Sequence, residues 1–83
     1  MKVEFSKHAV SQMAERKIPE QWVVRVLQEP DFVRGDKSHP DVKLAFRKIA
    51  EFGGRWLRVA YKQELDAHFI ITVFFDRKAG NWK

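Results

Sequence analysis

The stretch KLAFRKIAEFGGRWLRVAYKQELDAHFIITVFFD, residues 43–76, decides the fold. β-Branched and aromatic residues crowd it, and Gly53-Gly54 divides it. Such a pair closes a two-residue hairpin because both positions accept positive φ. Leu65-Asp66-Ala67 supplies a second, three-residue turn. The reading is three antiparallel strands over 43–51, 55–64 and 68–76. The turns also set a register. With Phe52 opposite Arg55, Ala50 faces Leu57, Lys48 faces Val59 and Phe46 faces Tyr61. Across the second turn Leu57 faces Phe75, Val59 faces Val73 and Tyr61 faces Ile71. Strand alternation then puts Phe46, Ala50, Leu57, Val59, Tyr61, Phe69, Ile71, Val73 and Phe75 on one face, apolar enough to receive helices. The opposite face carries Ala45, Arg47, Ile49, Glu51, Trp56, Arg58, Ala60, Lys62, His68, Ile70, Thr72, Phe74 and Asp76. A solvated sheet face is usually polar in alternation, and Ile49, Trp56, Ile70 and Phe74 break that rule. The segment around Trp82, a second copy, a protein partner or a nucleic acid is expected to cover them.

Upstream the period changes to that of helices. Ser6 is a plausible N-cap for a helix over Lys7–Lys17, in which Ala9, Val10, Met13 and Ala14 share one side and His8, Gln12 and Glu15 the other. Pro19 fits the first turn of a second helix, with Glu20 suited to the dipole there and Trp22, Val23, Val26 and Leu27 as its buried stripe. Pro30 ends it. Residues 2–5 read as a short extended arm, Phe32-Val33-Arg34 as a first strand or irregular edge, and 35–42 as a loop. The expected fold class is α+β: one domain over residues 1–83, two N-terminal helices packed on one face of a three- to four-stranded antiparallel sheet.

Composition narrows the function classes. A chain of 83 residues buries only about 60–65% of its unfolded surface. It has no cysteine, which excludes a disulfide framework, a thiolate nucleophile and a Cys-based zinc site. The three histidines have no metal-ligand spacing, so neither a metal nor a cofactor is expected. No run approaches the ~20 apolar residues of a membrane span, and residues 1–7 lack a signal-peptide core. A cytoplasmic location is the expectation. Residues 1–42 hold seven Lys/Arg and seven Asp/Glu, whereas residues 43–83 hold nine and four. The net charge of +5 is therefore confined to the sheet half. That asymmetry fits an anionic partner, and equally a solvated basic surface.

Several short motifs recur in order: His8-Ala9, Met13, Arg16 before Ile18, Val23, Val26-Leu27 ahead of Pro30, Phe46-Arg47, Gly53-Gly54-Arg55-Trp56-Leu57-Arg58-Val59, and Ile71-Thr72-Val73-Phe74. Together they resemble an uncharacterised bacterial small-domain family over nearly the whole chain. That family is distantly similar to RelE/ParE-type toxins. The resemblance implies a RelE/ParE-like fold, an RNA target on or off the ribosome, and a partner antitoxin. The same superfold also hosts gyrase inhibitors and inactive relatives, so fold alone is a poor guide to chemistry.

In that light Arg47 and Arg58, pointing to one face by register, are the leading site candidates. Guanidinium groups hold phosphate bidentately and stabilise charge developing on it, while Trp56 and Phe74 offer surfaces for unpaired bases. The plainer alternative pairs these arginines with Glu51 and Asp76 or lays them on Trp56. Lys62 adds a phosphate contact or merely blunts an edge. His8 or His68 is the proton carrier if the chain cleaves RNA, and both have structural alternatives. Arg16 either anchors the helices or joins the RNA-binding set. The leading expectation is a toxin-like, RNA-directed protein and metal-independent endoribonuclease acting on mRNA through the RNA's own 2′-hydroxyl. The rival is a non-enzymatic module of the same fold that binds a protein, or dimerises, through the basic and apolar second face.

Overall fold

In the computed structural model, which describes residues 2–79, two helices pack on one face of a five-stranded mixed sheet. The elements run β1 (Lys2–Phe5), α1 (Lys7–Arg16), α2 (Glu20–Gln28), β2 (Phe32–Gly35), β3 (Val42–Ile49), a 3-10 turn (Ala50–Phe52), β4 (Arg55–Gln63) and β5 (Ala67–Phe75). The sheet order is β1-β5-β4-β3-β2. The expected three or four antiparallel strands are thus corrected to five. The additional edge is β1, which pairs parallel to β5 with Lys2 opposite Ala67 and Phe5 opposite Ile70. Lys-Val-Glu-Phe alternates polar and apolar residues, and Val3 and Phe5 join the core beneath the helices. No helix among the described residues is long and apolar enough to cross a membrane.

Ser6 joins β1 to α1. Its backbone N–H donates to the Ile70 carbonyl, and its hydroxyl both accepts from Ala9 N at 3.0 Å and donates to the Ile71 carbonyl at 2.9 Å. The cap therefore also ties α1 to β5. The sheet-facing side of α1 is Ala9, Gln12 and Met13 rather than the expected Ala9, Val10, Met13 and Ala14; Val10 and Ala14 lie exposed. Gln12 turns inward because its Oε1 accepts from Val73 N at 2.8 Å, on the stretch of β5 edge beyond the end of β1.

Lys17 closes α1 in the left-handed region, φ 56°, and Ile18 N donates back to Met13 O at 2.9 Å. A side chain at that φ carries a steric cost that glycine escapes. Lys17→Gly is expected to raise stability by roughly 0.5–1 kcal/mol, read as a higher urea midpoint with an unchanged m-value. An unchanged or lower midpoint would contradict that cap geometry.

Two departures from regular pairing decide which way side chains point. The first lies at Gly53-Gly54. β3 stops at Ile49, which pairs with Arg55; Ala50–Phe52 form the 3-10 turn, and the two glycines follow at φ 68° and 72°. Lys48 consequently faces Trp56, not Val59, and Phe46 faces Arg58, not Tyr61. A displacement of three residues is odd, so every side chain of β3 changes face. The longer connection is stabilised by its own contacts. Glu51 meets Arg25 of α2, and Phe52 packs against Trp22 and Phe75.

The second departure is a bulge in β5. Leu57 faces Phe75 and Val59 faces Val73, as the turn predicts, but Tyr61 faces Ile70 instead of Ile71. Ile71 is the extra residue, at the point where Ser6 takes both the Ile70 and Ile71 carbonyls. Beyond it the faces invert. Ile70 enters the helix-side core, and Ile71 joins the cluster on the opposite face.

The helix-side core gathers Ala9, Ile18, Val23, Val26, Ala45, Ile49, Leu57, Val59, Tyr61, Ile70 and Val73. The second face is not open either. Val42, Leu44, Phe46, Trp56 and Ala60 are buried there with Ala79, which brings the segment after β5 onto that face. Cover by the C-terminal segment was one of the expected solutions, although Trp82 itself lies outside the described residues.

Candidate nucleic-acid interface

The two departures scatter the residues expected to form one site. Arg47 and Arg58 do not share a face. Arg47, on the odd-numbered side of β3 with Ala45 and Ile49, reaches under the helices, where its Nη1 donates to the Glu29 carbonyl at 2.6 Å. It supplies positive charge and a donor just past the last turn of α2, where carbonyls lack partners. Arg58 stays on the second face, 3.6 Å from Asp76 and with its guanidinium 4.8 Å from the Phe74 ring centre. The Nε of each is buried without a hydrogen-bond partner, so both side chains are wedged into structure rather than held out to solvent.

The other expected members disperse as well. Trp56 is buried against Phe32, with Lys48 above its ring. Lys62 pairs with Asp41 at 3.3 Å. Phe74 lies beneath Arg58. The β5 bulge carries His68 onto the helix side, where its ring sits 5.3 Å from that of Tyr61. Burial raises the Tyr61 hydroxyl pKa, so it stays protonated and is no base at neutral pH. His8 is exposed in the first turn of α1.

A different group converges at the end of the sheet where the β3–β4 connection meets the end of β5. An open cleft of ≈ 580 Å³ is lined by Arg16, Phe52, Gly54, Arg55, Trp56, Phe75, Asp76 and Arg77. Each element delivers its residue for a local reason. Arg16 follows Ala9 and Gln12/Met13 at helical spacing, so the side of α1 that packs on β5 ends in a cation just beyond the sheet. The 3-10 turn projects Phe52, and Arg55 opens β4 after the glycines. Asp76 leaves β5 with its N–H on the Trp56 carbonyl at 2.9 Å, and its Oδ1 accepts from Lys78 N at 2.8 Å. That local turn presents Arg77.

Charge pairing separates the arginines into two groups. Of the seven in the chain, Arg25 is paired with Glu51, Arg58 with Asp76, and Arg47 with a helix-end carbonyl, while Arg34 also has an interaction. Arg16, Arg55 and Arg77 have no carboxylate within salt-bridge distance among the described residues, and these three line the cleft. The connection that carries Phe52 and Arg55 is itself pinned. Glu51's carboxyl is held below its ordinary pKa, first by its own backbone N–H and then by Arg25, so the pair persists through the neutral range.

The arrangement suits an anion with flat, apolar parts. It does not gather proton carriers. His8 and Arg16 stand eight residues apart on one helix, about 12 Å along its axis. His68 and Phe75 are seven residues apart on one strand, about 23 Å. The cleft's own carboxylate, Asp76, is already engaged by Arg58 and Lys78.

Among the expected residues, then, only Arg16 and the rim of Trp56 reach the cleft; Arg55, Arg77, Phe52, Phe75 and Asp76 were not anticipated. The charge excess after residue 43 and the Arg55 next to Gly53-Gly54 were the visible signals for them.

Residues 5–75 match the model of a family described as a domain of unknown function, DUF4258. This fits the expected uncharacterised small-domain family. No curated protein and no solved structure matches the chain.

Proposed function

The chain belongs to the DUF4258 family, and from its cleft we propose that it is an RNA-directed protein that binds RNA at the end of the sheet. The observation carrying this reading is that three arginines with no carboxylate partner among the described residues, Arg16, Arg55 and Arg77, meet around one cleft, interleaved with Phe52, Phe75 and the rim of Trp56. Unpaired cations beside aromatic rings are what a phosphate backbone with unstacked bases requires. In the toxin-like form of this proposal, the RNA is mRNA and a partner antitoxin masks the cleft. The arginines also suit the charge that develops on phosphorus during cleavage by a 2′-hydroxyl. The remoteness of His8 and His68 favours binding over cleavage, so the endoribonuclease form needs a proton carrier from the RNA, the ribosome or Asp76.

The competing reading, a module that binds protein or a second copy through the second face, is weaker because Leu44, Phe46 and Trp56 there are already buried.

The test is fluorescence anisotropy with a labelled single-stranded RNA at increasing salt. Two phosphate contacts give a logarithmic slope of about −1.4, so affinity falls roughly seven-fold between about 50 and 200 mM salt. Absence of binding at the lowest salt, or affinity indifferent to salt, would remove RNA as the ligand.

A further inference from the structure

Phe52, Arg55 and Phe75 are not merely neighbours in the cleft. The Phe52 and Phe75 rings stack with centroids 4.7 Å apart and a 29° tilt, and the Arg55 guanidinium carbon lies 4.8 Å from the Phe52 centroid. Ring, ring and guanidinium form one layered pile. Trp22 braces it from α2, 6.0 Å from Phe52 and 6.3 Å edge-on from Phe75. The Arg25–Glu51 pair, 2.9 Å, fixes the turn from which Phe52 projects. The pile is therefore built on supported elements, yet its top is open: Arg55 is exposed and Phe52 is 40% exposed.

Arg55 opens β4 opposite Ile49, directly after two residues of positive φ, and has no carboxylate among the described residues to turn its guanidinium aside. A guanidinium plane stacked on a ring is a surface on which a nucleobase can add as the next layer. Arg16 and Arg77, from the other elements around the cleft, are left for phosphate.

We infer that the cleft holds one unpaired nucleotide, with its base stacked on Arg55 as the outermost layer of the Arg55–Phe52–Phe75 pile and its flanking phosphates on Arg16 and Arg77. The inference rests on the RNA-directed reading and makes it specific. The site takes single strands, because a base inside a duplex has no free face to offer. The cleft volume, ≈ 580 Å³, is in the range of pockets for one ligand of this size rather than for a helix.

The probes are labelled single-stranded oligoadenylate, the same strand annealed to oligouridylate, and unlabelled inorganic polyphosphate and polyglutamate as competitors. Arg55→Lys keeps the charge and removes the plane, and its exposed position leaves folding intact. The expected result is about ten-fold weaker oligoadenylate binding by Arg55→Lys, with the same salt slope and unchanged competition by polyphosphate. Phe52→Ala, which removes the layer beneath, is expected to act in the same direction. The wild-type protein should also prefer the single strand to the duplex by about ten-fold. Equal binding of duplex and single strand, or wild-type affinity in Arg55→Lys, would overturn the stacking subsite while leaving RNA binding in place. Failure of the wild-type protein to bind any nucleic acid would overturn the RNA-directed reading itself. Displacement by polyglutamate as efficient as by oligoadenylate would assign the cleft to acidic protein segments instead.

Discussion

Replacing Arg16, Arg55 and Arg77 together by alanine is expected to weaken binding of single-stranded RNA by about two orders of magnitude at low salt, since each charge-assisted hydrogen bond from Arg16 or Arg77 to phosphate contributes roughly 1 kcal/mol or more and stacking on Arg55 a similar amount. The salt dependence should flatten toward zero, because each neutralised phosphate adds about −0.7 to the slope. Anisotropy titrations at several salt concentrations measure both quantities. Thermal unfolding of the same variant should be nearly unchanged, because none of the three arginines is paired with a carboxylate among the described residues. Arg47→Ala/Arg58→Ala is the matched control with the opposite profile. It removes the donor to Glu29 at the end of α2 and the partner of Asp76, and should lower the unfolding midpoint while sparing the salt slope. If the control abolishes RNA binding and the triple variant does not, the site lies on the strands rather than at the end of the sheet.

The largest effect on stability is expected from Phe46→Ala. Phe46 has no exposed surface, stacks on Phe32 at 4.6 Å, and shares its cluster with Trp56 and Ala79. Truncating a buried phenylalanine costs about 3–5 kcal/mol, against a total of about 5–10 kcal/mol for a domain of this size. Urea unfolding should show a midpoint reduced by roughly half, and a partly unfolded population is expected near 37 °C. A destabilisation below about 1 kcal/mol would mean that the second face is not a packed layer. It would then also reopen that face as a docking surface.

Much of this architecture is legible in the amino-acid sequence alone. The N-cap at Ser6, the stop at Pro30, and the pairings of Val59 with Val73 and Leu57 with Phe75 follow from local chemistry and turn length. What escapes is parity. In residues 43–49 both alternations look buried, since Leu44 and Phe46 compete with Ala45 and Ile49, and all four do end up buried. Hydrophobic pattern then cannot choose a face, and the choice passes to the connection. Ala-Glu-Phe-Gly-Gly reads as two strand ends around a tight turn. It is instead a turn of 3-10 helix because Glu51 and Phe52 find Arg25, Trp22 and Phe75, residues far away in sequence. The extra residue in β5 is equally non-local, set by a serine on the other side of the chain. The expected site inherited both errors. Arg47 and His68 change face, while Arg58, on the strand whose alternation was read correctly, keeps its own. Arg16 and Arg77 are each placed by local structure, but nothing short-range brings them together. They meet because a helix and a strand end at the same edge of the layer.

The parallel pairing of β1 with β5 also shapes how the molecule assembles. Lys2 pairs with Ala67 and Phe5 with Ile70, contacts that span 65 residues in each case. Every other pairing in the sheet joins strands consecutive in sequence. During synthesis the segment Lys2–Phe5 precedes the other strands of the sheet and finds its neighbour last. Its loop-closure entropy is largest, and the bonds that repay it form only after the β4–β5 hairpin exists. Ser6 extends the delay to α1, whose cap hydroxyl is partnered by the Ile71 carbonyl of that same late strand. The meander from β2 to β5 thus closes the short loops of the sheet, and the docking of β1 and α1 closes the long one, bringing Arg16 to the cleft.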